Sequence, residues 1–345
     1  MMDADRLAIM LPKSELHLHI EGTMEPEMML SFAARNHVDL PYKTPQQVRD
    51  AYQFDDLQSF LNLYYLGTRV LKTERDFYEL TMAYLQRAFN DHVLHTEIFF
   101  DPQSHMHRGI PFDVVMQGIG AALEDGRHQL GISSRLIMCF LRDLGPEDGM
   151  LTMEQAKPYQ AQITAVGLDS TELPYPPGRF QRLFDQAREL GWYTEDHAVD
   201  ERTGQYIWEA IDRLKVKRID HGVRSEEDPQ LIELLARKRI PLTMCPLSNV
   251  KLKVFPRLEE HNLVRLLHAG ICVCINSDDP AYFGGYINDN FLACRRALNL
   301  SAQDIILLCR NSFEAAFLDQ AQRMKYYHMI DTIVGKTQNH SSDHD

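Results

Sequence analysis

Four histidines and a pair of aspartates carry the chemistry that this chain could perform. His17 and His19 lie two apart in 15-ELHLHIE-21, and His197 falls near the end of 192-WYTEDHA-198. His221 follows Asp220 in 217-KRIDHG-222, while Asp278 and Asp279 follow 271-ICVCINS-277. Along an extended segment, alternation sends Leu16, Leu18 and Ile20 to one face and His17, His19 and Glu21 to the other. Two imidazoles at i and i+2 can share a metal ion, although such a pair also reads as two satisfied core histidines. Polar residues at strand ends can equally be caps or loop formers. That account explains one or two of these positions, not histidines and aspartates at so many strand ends. Neutral imidazoles and one carboxylate, with a position left for water, suit zinc. Bound zinc would lower the pKa of its water to about 7 and so supply hydroxide at neutral pH.

These residues need strands that all end on one rim. Eight short strand-like segments are present, at 15–21, 94–100, 134–140, 163–169, 192–198, 217–222, 240–246 and 271–277. Helical periodicity fills most of the gaps. In 180-FQRLFDQAREL-190 the apolar residues Phe180, Leu183, Phe184, Ala187 and Leu190 fall on one helix face. The run 229-PQLIELLARK-238 begins after an acidic cluster suited to a helix N-terminus. Strands alternating with helices imply parallel pairing through right-handed crossovers. Eight such units predict an α/β protein, a (β/α)₈ TIM barrel whose functional residues project from the C-terminal strand ends. The helical stretch from about 25 to 90 is expected to be an insertion over the barrel mouth. Residues 1–334 read as a single domain, and the polar run 335–345 as a disordered tail.

Bulk properties narrow the partner. The 345-residue chain has a formal net charge of −13, which argues against a nucleic-acid backbone or an anionic membrane. A small molecule is the expected partner, with a homo-oligomer left open. Six scattered cysteines form no C-x-x-C pair and read as buried free thiols of a cytoplasmic protein.

Longer motifs add to this reading. The run PKSELHLHIEGTMEPE (residues 12–27), with 167-GLDSTE-172, 218-RIDHGVRSEEDP-229, 245-CPLSNVKL-252 and 276-NSDDPAYFGGY-286, resembles the adenosine/adenine deaminase family. The likeness is closer to the branch that acts on free adenine. It implies one zinc ion per chain held by His17, His19, His197 and Asp278. It further implies that His221 positions the attacking hydroxide and that Asp279 hydrogen-bonds a purine ring nitrogen. Ser170 would lie at the far edge of the purine. The implied reaction adds hydroxide to the carbon bearing the amino group and expels ammonia, turning adenine into hypoxanthine.

Two departures from the family pattern sit near that site. The family writes His-Ala-Gly-Glu where this chain has His197-Ala198-Val199-Asp200, and the family's glutamate donates a proton to the purine ring. Aspartate is one methylene shorter, and a misplacement of about 1 Å can cost about a hundredfold in rate. Valine fits a positive-φ position only with strain. Asp200 as proton donor, Glu201 in its place, and loss of the donor all remain open. The second departure is Pro174-Tyr175 in 172-ELPYPPG-178, where the adenine branch usually carries glycine and histidine; Tyr175 either packs on the rim or reshapes the pocket. An impaired zinc- and purine-binding homologue, or an aminohydrolase for an N6-substituted purine, are therefore the alternatives. Asp101, in FFDPQ, reads either as a cap or as a group in contact with substrate.

Overall fold

The computed structural model describes residues 3–198 and 204–342, with side chains described through residue 336. Eight parallel strands follow one another in chain order: β1 Lys13–Glu15, β2 Val93–Phe100, β3 Ser133–Leu141, β4 Ile163–Asp169, β5 Tyr193–Ala198, β6 Arg218–His221, β7 Leu242–Met244 and β8 Val273–Ile275. They form the expected barrel. Their apolar runs are buried on both faces, as parallel strands wrapped by helices must be; the second half of β3, from Leu136 to Leu141, is buried throughout.

The first strand differs from expectation. Its regular ladder spans only Lys13–Glu15, and the histidine-bearing stretch beyond it is bonded alternately to both neighbours. His19 N–H donates to Asp278 O and Ile20 N–H to Phe99 O, while Asp278 N–H reaches His17 O. The side chain of Asn276 takes the Leu16 N–H at 2.8 Å, replacing a ladder bond. Bridges Leu18–Asp278 and His19–Phe99 thus close the barrel and draw both histidines to its axis. The predicted alternation holds, since Leu16, Leu18 and Ile20 lie in the main core behind the strand.

The insertion divides into two parts. The helix Leu57–Thr68 starts from a capping box, in which Asp56 accepts from Ser59 N–H and Ser59 answers Asp56 N–H. Its Phe60, Leu61 and Tyr64 are buried, and they face the cavity at the barrel mouth. The helix Glu74–Asn90 instead packs against β2 and the helix Phe112–Gln129, and so serves as the crossover rather than as cover. Its Tyr84 hydroxyl donates to the buried Glu15 carboxylate at 2.7 Å.

The terminal helix runs from Gln320 through Ser342. Residues 335–342, expected to be disordered, continue that helix. The segment is polar but contains no proline, and extending an existing helix costs far less than nucleating one.

Candidate active site

The residues that end the strands meet at the C-terminal rim. His19 Nε2 and His197 Nε2 are 3.2 Å apart. Asp278 Oδ1 lies 3.4 Å from His17 Nε2 and 3.6 Å from His19 Nε2. His221 Nε2 stands 3.5 Å from Asp278 Oδ2. Ser170, His221 and Asp278, at the ends of alternate strands, have φ of 68°, 60° and 65°. That conformation costs a non-glycine residue about 1–2 kcal/mol, and it turns each side chain inward where the strand would otherwise carry it past the rim.

Bonds behind the rings fix which nitrogen faces inward. Thr243 Oγ1 donates its only hydrogen to Asp220 Oδ1 at 2.7 Å, so it accepts from His17 Nδ1 at 2.9 Å. His197 Nδ1 is 3.2 Å from the Leu168 carbonyl, which can only accept. Both rings therefore carry their proton on Nδ1 and point an Nε2 lone pair into the site. Asp220 supports both from below, 3.7 Å from His17 Nδ1 and 3.6 Å from His197 Nδ1. Nε2 of His17 is buried without any hydrogen-bond partner. Ser248 donates to Asp278 Oδ2 at 2.6 Å, leaving Oδ1 toward the histidines.

His221 faces the opposite way. The Leu263 N–H donates to His261 Nδ1 at 3.1 Å, so His261 carries its proton on Nε2 and donates to Asn249 Oδ1 at 3.1 Å. This orients the Asn249 amide so that its N–H donates to His221 Nδ1 at 3.2 Å. His221 consequently bears its proton on Nε2, toward Asp278 and the cavity. Burial, and then the neighbouring His17, push His221 down to about 3, and burial also holds His261 to about 3. Burial likewise lowers His17 and, reinforced by the other imidazoles, His197. All four are neutral at pH 7. Burial alone would raise Asp278, but His17, His221 and His19 outweigh it and hold the carboxylate well below its usual range. Beside it, burial and the Asp278 charge push Asp279 up.

The cavity above is lined by His19, His197, His221, Asp278 and Asp279 on its floor and by Leu57, Phe60, Leu61, Tyr64 and Tyr65 on its cover. Asp101, Asp169, Ser170, Glu172, Leu252 and Phe283 complete the wall, and Tyr65 hydroxyl meets Ser170 Oγ at 3.0 Å. Asp279 packs on Gly22 so closely that a Cβ there would lie 1.9 Å from Asp279 Oδ1. A larger groove of about 970 Å³ opens at the other end of the barrel, beside Arg135, Lys217 and Arg239, and holds none of these residues.

Comparison with known proteins follows the same rim. A family model described as adenosine deaminase matches residues 12–333. The chain belongs to the adenosine deaminase family. An adenine deaminase from Acinetobacter baylyi is 53% identical over 96% of this chain and 100% of its own. One from Crocosphaera subtropica is 56% identical over 92% and 97%. The crystal structure of adenine deaminase from Arthrobacter aurescens superposes with a TM-score of 0.92, at 42% identity over 94% of this chain and 99% of that one.

Within this deaminase-family chain, the structure brings together His17, His19, His197, His221, Asp278, Asp279 and Ser170. Asp200, with Val199 and Glu201, lies outside the described residues. Tyr175 does not line the cavity; its ring sits against Arg179, 5.3 Å from the guanidinium. Sequence reasoning missed Arg142. It is fully buried, and it donates to Asp196 Oδ1 at 2.6 Å, His197 O at 2.5 Å and Tyr175 O at 3.1 Å. One guanidinium thereby ties the end of β5 to the loop after β4. Asn249, Ser248 and His261 were missed too, although the first two lie inside the quoted CPLSNVKL run.

Proposed function

We propose that this aminohydrolase converts free adenine and water into hypoxanthine and ammonia with the aid of one zinc ion per chain. The observation that carries the reading is the gathering of the Nε2 atoms of His17, His19 and His197 with one Asp278 carboxylate oxygen at the cavity floor. Identity above one half to adenine deaminases, along nearly all of each chain, supports the choice of substrate. The donor set fits zinc. Ligands about 2.0–2.1 Å from one tetrahedral ion lie about 3.3 Å from each other, and three of the six ligand pairs here, His19–His197, His17–Asp278 and His19–Asp278, are 3.2 to 3.6 Å apart. His17, His19, His197 and Asp278 would hold the ion, which when bound makes water nucleophilic at neutral pH.

The chain's own groups do the rest. His221, neutral and protonated on Nε2, donates toward the nucleophilic oxygen and aims its lone pair at the purine carbon bearing the amino group. Asp279 hydrogen-bonds a ring nitrogen, and Ser170 with Tyr65 borders the far edge. Asp200 supplies the proton that the ring takes up as the new C–O bond forms. The C–N bond then breaks and ammonia leaves with that electron pair and the proton of the added hydroxyl, whose oxygen becomes the carbonyl, while the proton first lost by water passes through solvent to restore Asp200. The cover helix keeps the pocket from open water, strengthening each of these contacts. Six buried thiols suit a reducing cytoplasm, and the net charge favours a small substrate over nucleic acid. No helix among the described residues is long and apolar enough to cross a membrane.

The test is the ultraviolet change on incubating zinc-loaded protein with adenine, adenosine and N6-methyladenine in parallel. Conversion of adenine to hypoxanthine is the expected result. Turnover of N6-methyladenine alone would replace the substrate in this reading.

A further inference from the structure

Asp101 follows β2 at the N-cap position of the helix Pro102–Met106, yet its side chain caps nothing. It is 2% exposed and lines the cavity. Oδ2 accepts from the Tyr64 hydroxyl at 3.3 Å, while Oδ1 is buried with no partner. Asp169, at the end of β4, is 4% exposed and its Oδ1 likewise meets no donor from the rest of the wall, its carboxyl facing that of Asp101 so that one shared proton pairs one oxygen of each and leaves the others free. A buried acceptor without a donor is costly, and a ligand N–H removes that cost. The two carboxyls lie on the His19 side of the floor, with ligand atoms of His19, Asp101 and Asp169 all within 4.8 Å of one another.

We propose that Asp101, with Asp169 beside it, accepts the N–H of the purine's five-membered ring and so selects a free base over any purine substituted at that nitrogen. The inference rests on the proposed purine substrate and refines it. Free adenine has two kinds of N–H. Its amino group is on the reacting carbon and must lie over the metal centre, which leaves the ring N–H for acceptors elsewhere. A nucleoside, a nucleotide or a 9-alkyl purine has carbon in place of that hydrogen. It would leave the carboxyl oxygens unpaired, and sites built around a substrate N–H reject analogues lacking it strongly. On the cover, Phe60 and Leu61 are apolar and the hydroxyls of Tyr64 and Tyr65 are already engaged by Asp101 and Ser170.

The test compares binding of hypoxanthine and 9-methylhypoxanthine by calorimetry to the wild-type protein and to Asp101→Ala and Asp101→Asn variants. Wild-type protein should favour hypoxanthine by at least about a hundredfold. Asp101→Ala should cut that ratio about tenfold or more, mainly by weakening hypoxanthine, and Asp101→Asn, close to isosteric, should fall between. A ratio unchanged in both variants, with the two ligands weakened together, would assign Asp101 a structural role and overturn the proposal. So would a second equivalent of zinc bound in wild type and lost in Asp101→Ala, since the niche would then hold a cation. The ratio is read without turnover, so failure to deaminate adenine would count against the parent reading alone.

Discussion

The side-chain amide of Asn249 donates to Nδ1 of His221 across 3.2 Å, and its orientation traces back through His261 to the backbone N–H of Leu263. A fixed peptide group thus decides which nitrogen of a cavity histidine carries the proton. Replacing Asn249 with Asp substitutes an acceptor for that donor and should move the His221 proton to Nδ1. Nitrogen-15 spectra of histidine-labelled protein would report the exchange, and kcat should fall about tenfold or more with metal content unchanged. An unaltered His221 spectrum would show that the Asn249 contact does not set the tautomer.

Loss of one imidazole should cost the metal centre its ion. His17→Ala and His197→Ala are each expected to lower bound zinc from about one equivalent to near zero after dialysis, as read by elemental analysis. Far-ultraviolet circular dichroism should stay close to wild type, because the barrel core is built from other residues. Full zinc occupancy in both variants would remove these histidines from the ligand set.

Arg142 should matter to stability and to the site together. Arg142→Met leaves Asp196 buried and unpaired, an arrangement that typically costs about 3–5 kcal/mol, and it frees the His197 and Tyr175 carbonyls. Burial already pushes Asp196 up to about 7 against the pull of Arg142. Without the guanidinium Asp196 should take up a proton, so its folded-state pKa rises further above the unfolded value. For a carboxyl with a raised folded pKa, stability is greatest at low pH and declines as pH rises through the unfolded and then the folded pKa. Denaturant titrations at pH 6 and pH 8 should therefore show a larger deficit for Arg142→Met at pH 8. Equal deficits at both would contradict the assignment.

The carboxylate at position 200 invites a direct comparison. Asp200→Glu restores the longer arm and should raise kcat on adenine, while Asp200→Ala should lower it about a hundredfold or more, the scale of a general acid. Glu201→Ala should leave the rate nearly unchanged. A large loss in Glu201→Ala with none in Asp200→Ala would transfer the proton to Glu201.

Much of this was legible in the residues, for physical reasons that also set the limit. Strands β2, β3, β4, β7 and β8 are short, largely apolar runs bounded by polar punctuation, so their place follows from burial, while the polar β5 and β6 are placed by their position between helical runs. The stretch around His17 and His19 reads as one strand because alternation is visible, but sequence does not show that its peptide groups are shared between two neighbours. Ligand candidates were legible because histidines and aspartates fall at more strand ends than caps and loop formers explain. Groups behind them were not. Arg142 lies 55 residues before the carbonyl it holds, and Asn249 reaches His221 only because β6 and β7 pair. Asp101 had two readings in sequence, and the structure removes the cap.

The most direct test of the central claim is a zinc titration of metal-free protein, read at each point as ammonia released from adenine. The account predicts release that rises linearly to one equivalent of zinc per chain and then stops. Zinc bound at one equivalent with no ammonia from adenine, or release that continues to rise to two equivalents, would contradict it.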